Sequence, residues 1–377
     1  MPPAGEPPDV APRGLIIAII LAFILIIAAG LLFYQSQEDQ IKDQVNRDLT
    51  TIAILKSDQI SAWREDRLYD ARVLSSSDFF IEGVDHYLTY GDDESREKIL
   101  SRFREMNVSP LYDNVLLVDP QGNVRLTLDP AITFIDPPVL VQANASLESG
   151  DAVLTDLHRM TGSGAIRLNV IAPLIIPEAG SGRPIGAVVF YIDPDDYLYP
   201  LVQSWPVPSY SAETLLIERE GDNVLFMNEL RHLNNTALNL TIPLSQSDVP
   251  AVMAVQGTTG TFDGKDYRNV DVVSVLEPVP GSPWFMVAKI DTEEAYSSWR
   301  IRSLLIITMI GGTVAGALVI FGLLWQRRQK YYYRTLYAAE AEKGSAEKQY
   351  RDLFENVTIG ILRTTPGPEG TRFSTAT

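Results

Sequence analysis

The chain has 377 residues, with 31 Lys and Arg against 48 Asp and Glu, which gives a formal net charge of −17. Nucleic-acid binding is a poor fit for so acidic a chain, because it needs clustered positive charge. The sequence contains no Cys, which excludes disulfides, thiolate metal sites and cysteine nucleophiles, and its three His residues are widely scattered. We therefore expect no nucleic-acid partner, no metal and no cofactor.

Two apolar runs predict that the chain crosses a membrane twice. Leu15–Phe33 has 19 residues and Leu304–Trp325 has 22, both without charge, and either length spans a hydrocarbon core of about 30 Å. A cleaved signal peptide is the alternative for the first run, although its apolar region would have only about 7–15 residues. Basic residues after the second run place that end in the cytoplasm. They are Arg327, Arg328, Lys330 and Arg334.

The segment between the two runs predicts a folded domain outside the cytoplasm. Residues 35–300 hold 40 acidic and 20 basic residues, and about 270 residues are far too many for a simple connection. We expect a multi-pass protein of the inner (plasma) membrane. The predicted parts are a tail at 1–14, a span at 15–34, the extracytoplasmic domain at 35–298, a span at 303–325, a coiled coil at 326–352 and the start of another domain at 353–377.

A long helix is predicted at the start of the extracytoplasmic domain, within residues 35–80. From Gln40 to about Leu74, apolar residues recur at helical spacing without Pro or Gly. Such a helix would be about 50–60 Å long, enough to run along a whole domain. Two shorter helices, broken near Ser57 and Asp58, are the alternative.

After this helix, three strand patterns occur twice in the same order, at offsets of 98 to 105 residues. A single strand–turn–strand match is common, but three matches in order favour two copies of a small antiparallel α+β unit. We place the copies at 81–200 (membrane-distal) and 201–298 (membrane-proximal). The matched stretches are Leu116–Val124 with Leu215–Val224, Ile166–Ile176 with Val270–Val279, and Val188–Tyr191 with Phe285–Lys289.

This organisation resembles the extracytoplasmic double Cache sensor domains, in which a long helix leads into two PAS-like sheets between two membrane spans. The most specific stretches are Ser204–Ser209, Glu213–Leu216 and Pro278–Phe285. The resemblance implies an α+β fold and a small-molecule ligand in the membrane-distal copy. It also implies a receptor that signals to a cytoplasmic output.

The residues after the second span predict a signalling helix. From Tyr332 to Val357, core positions that are apolar or small except for Lys343 step by four and three, the heptad rhythm of a coiled coil that would join two subunits as a homodimer. A monomeric amphipathic helix is the alternative. Tyr350–Ile361 resembles the opening of a PAS domain, and because only about 25 residues follow Asp352, fewer than a domain needs, we expect a truncated piece of a longer protein.

This chain alone is not expected to be an enzyme. The residues after Trp325 contain no His for phosphorylation and no Gly-rich nucleotide loop. The whole protein is predicted to be a sensor histidine kinase of a two-component system that acts on a response regulator, and a diguanylate cyclase or chemoreceptor output is equally compatible. The competing class is a membrane-anchored binding or adhesion protein without signalling.

Candidate ligand-binding residues lie in the membrane-distal copy. Asp156 and His158 alternate along the strand-like stretch Val153–Arg159, so we expect both side chains on one face, with further polar residues on neighbouring strands. Such a set suits a small polar ligand, although solvated strand faces would give the same pattern. The candidates are Asp156, His158, Arg125, Arg167, Asn169 and Tyr191.

The resemblance also bears on the ligand. Amino-acid-binding members of the family carry an Arg-x-Trp-Tyr cluster before the third strand and an Asp in the last strand of the distal copy. Residues 131–150 contain no Arg, Trp or Tyr, and Tyr191 occupies the last-strand position. An amino-acid ligand is therefore doubtful, and a carboxylate, another metabolite or a partner protein stays open.

Overall fold

The structure is a computed structural model that describes residues 13–107, 112–178 and 182–356. The chain divides into two compact units. The main unit is Gln37–Arg300, and the helical unit comprises the described parts of Met1–Ser36 and Ile301–Thr377.

Helix α1 runs from Arg13 to Ser75 and continues unbroken through Ser57, so the prediction of one long helix is confirmed. No Pro or Gly interrupts the sequence between Leu31 and Ser75, which leaves no residue that breaks a helix. Within the main unit its apolar face contributes buried side chains to one continuous core. They include Leu49, Ala53, Ile60, Trp63, Ala71 and Leu74.

The first lobe of the main unit corresponds to the predicted membrane-distal copy. Its antiparallel sheet has the order β2-β1-β6-β5-β3, and β4 also pairs with β5. The lobe consists of α2 (Asp78–Tyr90), α3 (Asp93–Met106), β1 (Asn114–Val118), β2 (Val124–Thr127), α4 (Pro137–Ser149), β3 (Val153–Leu154), β4 (His158–Arg159), β5 (Ile166–Ile176), β6 (Arg183–Ile192) and α5 (Leu198–Gln203).

The second lobe repeats this plan. Its antiparallel sheet has the order β10-β11-β12-β7-β8-β9, and the predicted α+β class with two tandem sheets is confirmed. The lobe consists of β7 (Glu213–Glu220), β8 (Asn223–Phe226), β9 (Thr241–Pro243), α6 (Pro250–Val255), β10 (Gly260–Lys265), β11 (Asp271–Pro278), β12 (Phe285–Asp291) and α7 (Thr292–Ala295).

Each sheet has two buried faces, because its strands alternate between two cores. In β1, Leu117 belongs to the core shared with α1, whereas Leu116 belongs to a separate core under α4. In β7, Leu216 belongs to the α1 core, and Leu215 belongs to a core under α6. A polar side chain on a strand is therefore buried inside its lobe when it lies on the face that packs under α4 or α6.

One local prediction is wrong. Val153–Arg159 is not a single strand, because Leu154 pairs with Val170 and His158 pairs with Arg167, so four steps on one side match three on the other. The extra residue is a β-bulge, which interrupts the alternation of side chains. Asp156 lies in this bulge and is exposed, and it does not share a regular strand face with His158.

The helical unit contains the apolar part of α1 and most of α8, which runs from Ser297 to Asn356. Two stretches within these helices, Ile20–Ser75 and Trp299–Leu353, include segments long and apolar enough to cross a membrane, by length and composition only. The predicted heptad positions up to Leu353 lie on α8. The rest of the PAS-like stretch, from residue 357 on, lies outside the described residues.

Candidate functional site

Among the described residues of the first lobe, two fully buried side chains have no hydrogen-bond partner for any of their polar atoms. Asn169 on β5 lies opposite Tyr191 on β6, and both are 0% exposed. Asn169 alternates with Val170, which faces α1, and shares the face of Ile171, which packs under α4. Neither the amide of Asn169 nor the hydroxyl of Tyr191 forms a hydrogen bond with the described residues. A buried polar group left unpaired costs about 1–3 kcal/mol, so two at one place need an explanation.

Asp136 adds a carboxylate to the same region. It is the N-cap residue of α4, it is 2% exposed, and its Oδ1 accepts a hydrogen bond of 2.8 Å from the backbone N–H of Thr161. Burial raises the pKa of Tyr191, and the charge of Asp136 raises it further. Asn169, Tyr191 and Asp136 therefore form a buried polar group under α4, which we call the α4 site.

The backbone N–H and carbonyl of Asn169 are both hydrogen-bonded, in contrast to its side chain. Thr155 donates its N–H to the carbonyl of Asn169 at 2.8 Å, and its hydroxyl accepts the N–H of Asn169 at 2.9 Å. Asn114, on the other side of Tyr191, is also satisfied, since its amide donates to Thr127 and its carbonyl oxygen accepts the N–H of Val115. The unpaired groups are thus held in place by a rigid frame.

Arg167 lies two residues from Asn169 on β5 and therefore projects to the same face. Its guanidinium pairs with Asp113 at 2.9 Å and with Asp193 at 2.8 Å. His158 is directly opposite Arg167, with Nδ1 at 3.3 Å from the carbonyl of Asp156 and Nε2 buried without a partner among the described residues. Both candidates lie beside the α4 site.

The structure does not bring the other two candidates to the α4 site. Arg125 is on β2, at the opposite edge of the sheet from β3, and not on a neighbouring strand as predicted. Its guanidinium pairs with Asp119 at 3.3 Å. Asp156 lies in the bulge, and its charge raises the pKa of Arg64 on α1 and of Glu218 in the second lobe.

Sequence reasoning missed Asp136 and Thr155. The order Asp136-Pro137-Pro138 is a recognisable helix start, because Asp is a favoured N-cap residue and Pro is favoured in the first turn. That signal predicts the beginning of α4 but not its position over β5 and β6. Thr155 carries no comparable signal, since its role depends on the bulge.

In the second lobe, the charged side chains at the equivalent positions have partners within the lobe. Lys289 on β12 pairs in register with Glu213 on β7 and with Ser274 on β11, as Tyr191 pairs with Asn114 and Asn169 in the first lobe. The ammonium of Lys289, 0% exposed, lies 2.7 Å from Glu213 and 2.6 Å from Asp266. The second lobe thus fills this region with its own ion pairs, whereas the first lobe leaves polar groups free.

Comparisons with known proteins agree with the duplicated fold. The family model dCache_1, described as a Cache domain, matches residues 35–299. No curated protein matches the chain.

Several solved structures are similar to the chain at low identity. The ligand-binding domain of the amino acid chemoreceptor PctB of Pseudomonas aeruginosa, in complex with L-Arg, is 14% identical over 67% of this chain and 98% of that one, with a TM-score of 0.45. The domain of the chemoreceptor CtaA of Pseudomonas fluorescens with L-isoleucine is 12% identical over 70% and 98%, with a TM-score of 0.44. The domain of Tlp3 of Campylobacter jejuni with L-norvaline is 14% identical over 68% and 94%, with a TM-score of 0.47.

Proposed function

The chain belongs to the Cache domain family, and we propose that it is the sensing part of a membrane receptor that binds a small polar molecule at the α4 site of the first lobe. In this proposal α1 and α8 cross the inner membrane and the main unit lies outside the cytoplasm. The apolar composition of the two helices and the basic residues after the second one support this topology.

The observation that supports the ligand site is a difference between equivalent positions of the two lobes. Asn169 and Tyr191 are buried with unused hydrogen-bonding atoms, whereas Lys289 and its partners in the second lobe are fully paired. A bound ligand would supply the missing partners and recover the cost of burying them.

The polar groups also indicate the kind of ligand. Asp136 contributes a negative charge, Tyr191 can donate, and the amide of Asn169 can donate and accept. Arg167, the cation on this face, is already committed to Asp113 and Asp193. We therefore propose a ligand with a positively charged or strongly donating group, such as an amine, rather than a molecule recognised only through a carboxylate.

The proposed output is cytoplasmic. Helix α8 runs without a break from Ser297, beside the second lobe in sequence, to Asn356, beyond the basic residues. A continuous helix can carry a displacement from one side of the membrane to the other, and the heptad pattern on α8 supports pairing in a homodimer. A histidine kinase with its response regulator is the output we propose, which would place this chain in a two-component system.

The test is a thermal-unfolding screen of the full chain in nanodiscs against amines, amino acids and carboxylates. A ligand present at 100 times its dissociation constant should stabilise the main unit by about 2.7 kcal/mol. Tyr191→Phe should weaken that ligand about tenfold by removing one hydrogen bond. Tyr267→Phe, which removes a hydroxyl bonded to Glu213 in the second lobe, should leave the affinity unchanged.

The same screen separates the two classes of function. A ligand whose affinity responds equally to both tyrosine variants contradicts the α4 site. No stabilising ligand in any of the three classes would contradict the sensor proposal and favour the membrane-anchored binding or adhesion protein.

A further inference from the structure

The chain passes from the first lobe to the second through a short segment, Ser204–Ala212, that lies between α5 and β7. The segment contains no charged residue, and two of its residues are Pro206 and Pro208. Proline fixes its own φ angle and favours an extended conformation in the residue before it, so this part of the chain is stiff. A stiff segment can pass on a displacement that a flexible one would absorb.

Helix α1 holds both ends of this segment through one buried lysine. Lys56 is 5% exposed, and its ammonium donates to the carbonyls of Val202, at 2.6 Å, and Ser204. It also donates to the hydroxyl of Thr214 on β7, at 3.0 Å, and that hydroxyl in turn donates to the carbonyl of Val202. The three N–H groups of the ammonium thus meet three oxygens. The start of the segment and the strand that follows it are therefore fastened to the same point of α1.

The middle of the segment is held by Glu294 on α7. One oxygen of its carboxylate accepts the hydroxyl of Ser209 at 2.8 Å and the N–H of Tyr210 at 3.0 Å. The other oxygen accepts the N–H of Ser211 at 2.8 Å and also its hydroxyl. The hydroxyl oxygen of Ser211 accepts the N–H of Asp291, at the end of β12, at 3.0 Å. Hydrogen bonds to a charged carboxylate are about twice as strong as neutral ones, so the middle of the segment is tightly bound.

Helix α7 leads directly into α8. Only Tyr296 separates α7 from α8, which begins at Ser297. The N–H of Tyr296 donates to the carbonyl of Thr292 at 3.2 Å, and its carbonyl accepts the N–H of Arg300 at 3.1 Å, so helical hydrogen bonds continue across the junction. Glu294 therefore attaches the segment to the start of the helix that leaves the main unit.

We propose that residues 204–214 act as a strap that couples α1 to α7 and the start of α8, with Lys56 and Glu294 as its attachment points. A shift of α1 moves Lys56 and, with it, both ends of the strap. Because the strap is stiff, its middle then displaces Glu294 and α7, and a shift of α7 is passed back to α1 by the same contacts. The strap lies outside the α4 site, and its action does not require a ligand there.

The coupling can be measured without a ligand, by hydrogen exchange of the full chain in nanodiscs followed by mass spectrometry. Lys56→Met should make exchange of the N–H groups of Tyr210 and Ser211 about tenfold faster, the effect of losing roughly one charge-assisted hydrogen bond. None of the hydrogen bonds of Lys56 goes to either residue. Exchange at Tyr296, on the junction of α7 and α8, should become faster as well.

Glu294→Gln tests the coupling in the opposite direction. It replaces one carboxylate oxygen by an amide nitrogen, which cannot accept a hydrogen bond. Exchange at Ser204, whose N–H donates to the carbonyl of Pro200 at 3.0 Å, should then become about tenfold faster, although Glu294 has no hydrogen bond to Ser204 among the described residues.

Each variant has a matched control on the same helix. Ser57→Ala removes a bond of 2.8 Å from α1 to the carbonyl of Pro278 in the second lobe. Glu293→Gln removes an exposed ion pair of 3.0 Å with Arg300. Neither bond involves the strap, so both controls should leave its exchange unchanged. Exchange in the core strands β5 and β6 is the reference, because a general loss of stability would make it faster in the same proportion.

A double-mutant cycle distinguishes a strap from two independent contacts. If the strap is one unit, the loss of one attachment already frees it. Lys56→Met and Glu294→Gln together should therefore accelerate exchange at Ser211 by clearly less than the product of the two single effects. Effects that multiply, or that stay confined to the residues bonded to the replaced side chain, would overturn the proposal, because separate contacts would not influence each other.

Discussion

Replacing Asn169 by Val should stabilise the protein in the absence of ligand. The side chain is 0% exposed and neither atom of its amide is hydrogen-bonded to the described residues. Valine removes the unpaired polar atoms and suits a strand, while the bonds between the Asn169 backbone and Thr155 are independent of the side chain.

The expected gain follows from the cost of an unpaired buried group. That cost is about 1–3 kcal/mol, so Asn169→Val should raise the free energy of unfolding by an amount in that range. For a unit of this size, each kcal/mol corresponds to a change of about 2–4 °C in the unfolding temperature. Thermal and denaturant unfolding of the full chain in nanodiscs would measure both quantities.

Asn228 offers a matched control in the second lobe. It is 1% exposed, its Oδ1 accepts the N–H of Leu216 at 2.7 Å, and its Nδ2 donates to the carbonyl of Glu229 at 2.8 Å. Asn228→Val should therefore destabilise the protein by about 1–3 kcal/mol, because it leaves the N–H of Leu216 without a partner. The same substitution is thus expected to have opposite signs at the two positions.

A saturating ligand should reverse the order of stability of the wild type and Asn169→Val. With a saturating ligand, the wild type gains stability and Asn169→Val gains little, since it lacks the amide that the ligand would satisfy. If Asn169→Val costs as much stability as Asn228→Val without ligand, Asn169 is already paired in the free protein and the reasoning behind the α4 site is refuted.

Two further predictions concern buried lysines. Lys289→Met should cost about 3–5 kcal/mol in denaturant unfolding, because it leaves Glu213 and Asp266 buried without their cation; a cost under 1 kcal/mol would contradict a tightly paired cluster. Burial lowers the pKa of Lys56 to about 8, below the value of about 10.4 in an unfolded chain. Between these two pH values only the unfolded chain keeps the proton. The free energy of unfolding should therefore rise with pH by up to about 3 kcal/mol. Lys56→Met should lack this rise, and equal pH slopes for the variant and the wild type would show that the ammonium is not destabilised by burial.

The fold was largely predictable from the sequence because its signals are periodic. Helical spacing without Pro or Gly predicted the part of α1 from Gln40 to Leu74, and the predicted strand Ile166–Ile176 coincides with β5. The strand Val153–Arg159 was wrong, since a β-bulge adds one residue without any distinctive side chain. The prediction of a long periodic element survives one residue that departs from the pattern, whereas the prediction of a short strand does not.

The site was less predictable, because it depends on contacts between distant segments. Asn169 and Tyr191 were found through their positions on strands, and their lack of partners is visible only once the sheet and α4 are assembled. Arg167 is a suitable anion-binding residue by type, but Asp113 and Asp193 neutralise it in the structure. Residue type thus predicted which groups could bind, and only the three-dimensional contacts determine which groups are still free to do so.

Because the two lobes are repeats, residues at their equivalent positions can be compared directly. The offsets of 98 to 105 residues that relate the strand patterns also relate Asn114 to Glu213, Asn169 to Ser274 and Tyr191 to Lys289, and the sheet registers confirm these pairs. The buried ion pair of Lys289 with Glu213 needs no ligand, whereas the side chains of Asn169 and Tyr191 have no partner among the described residues and would gain one only from outside. Exchanging the two sets of residues should therefore move the capacity for ligand binding along with the neutral set, since the scaffold that holds them is the same.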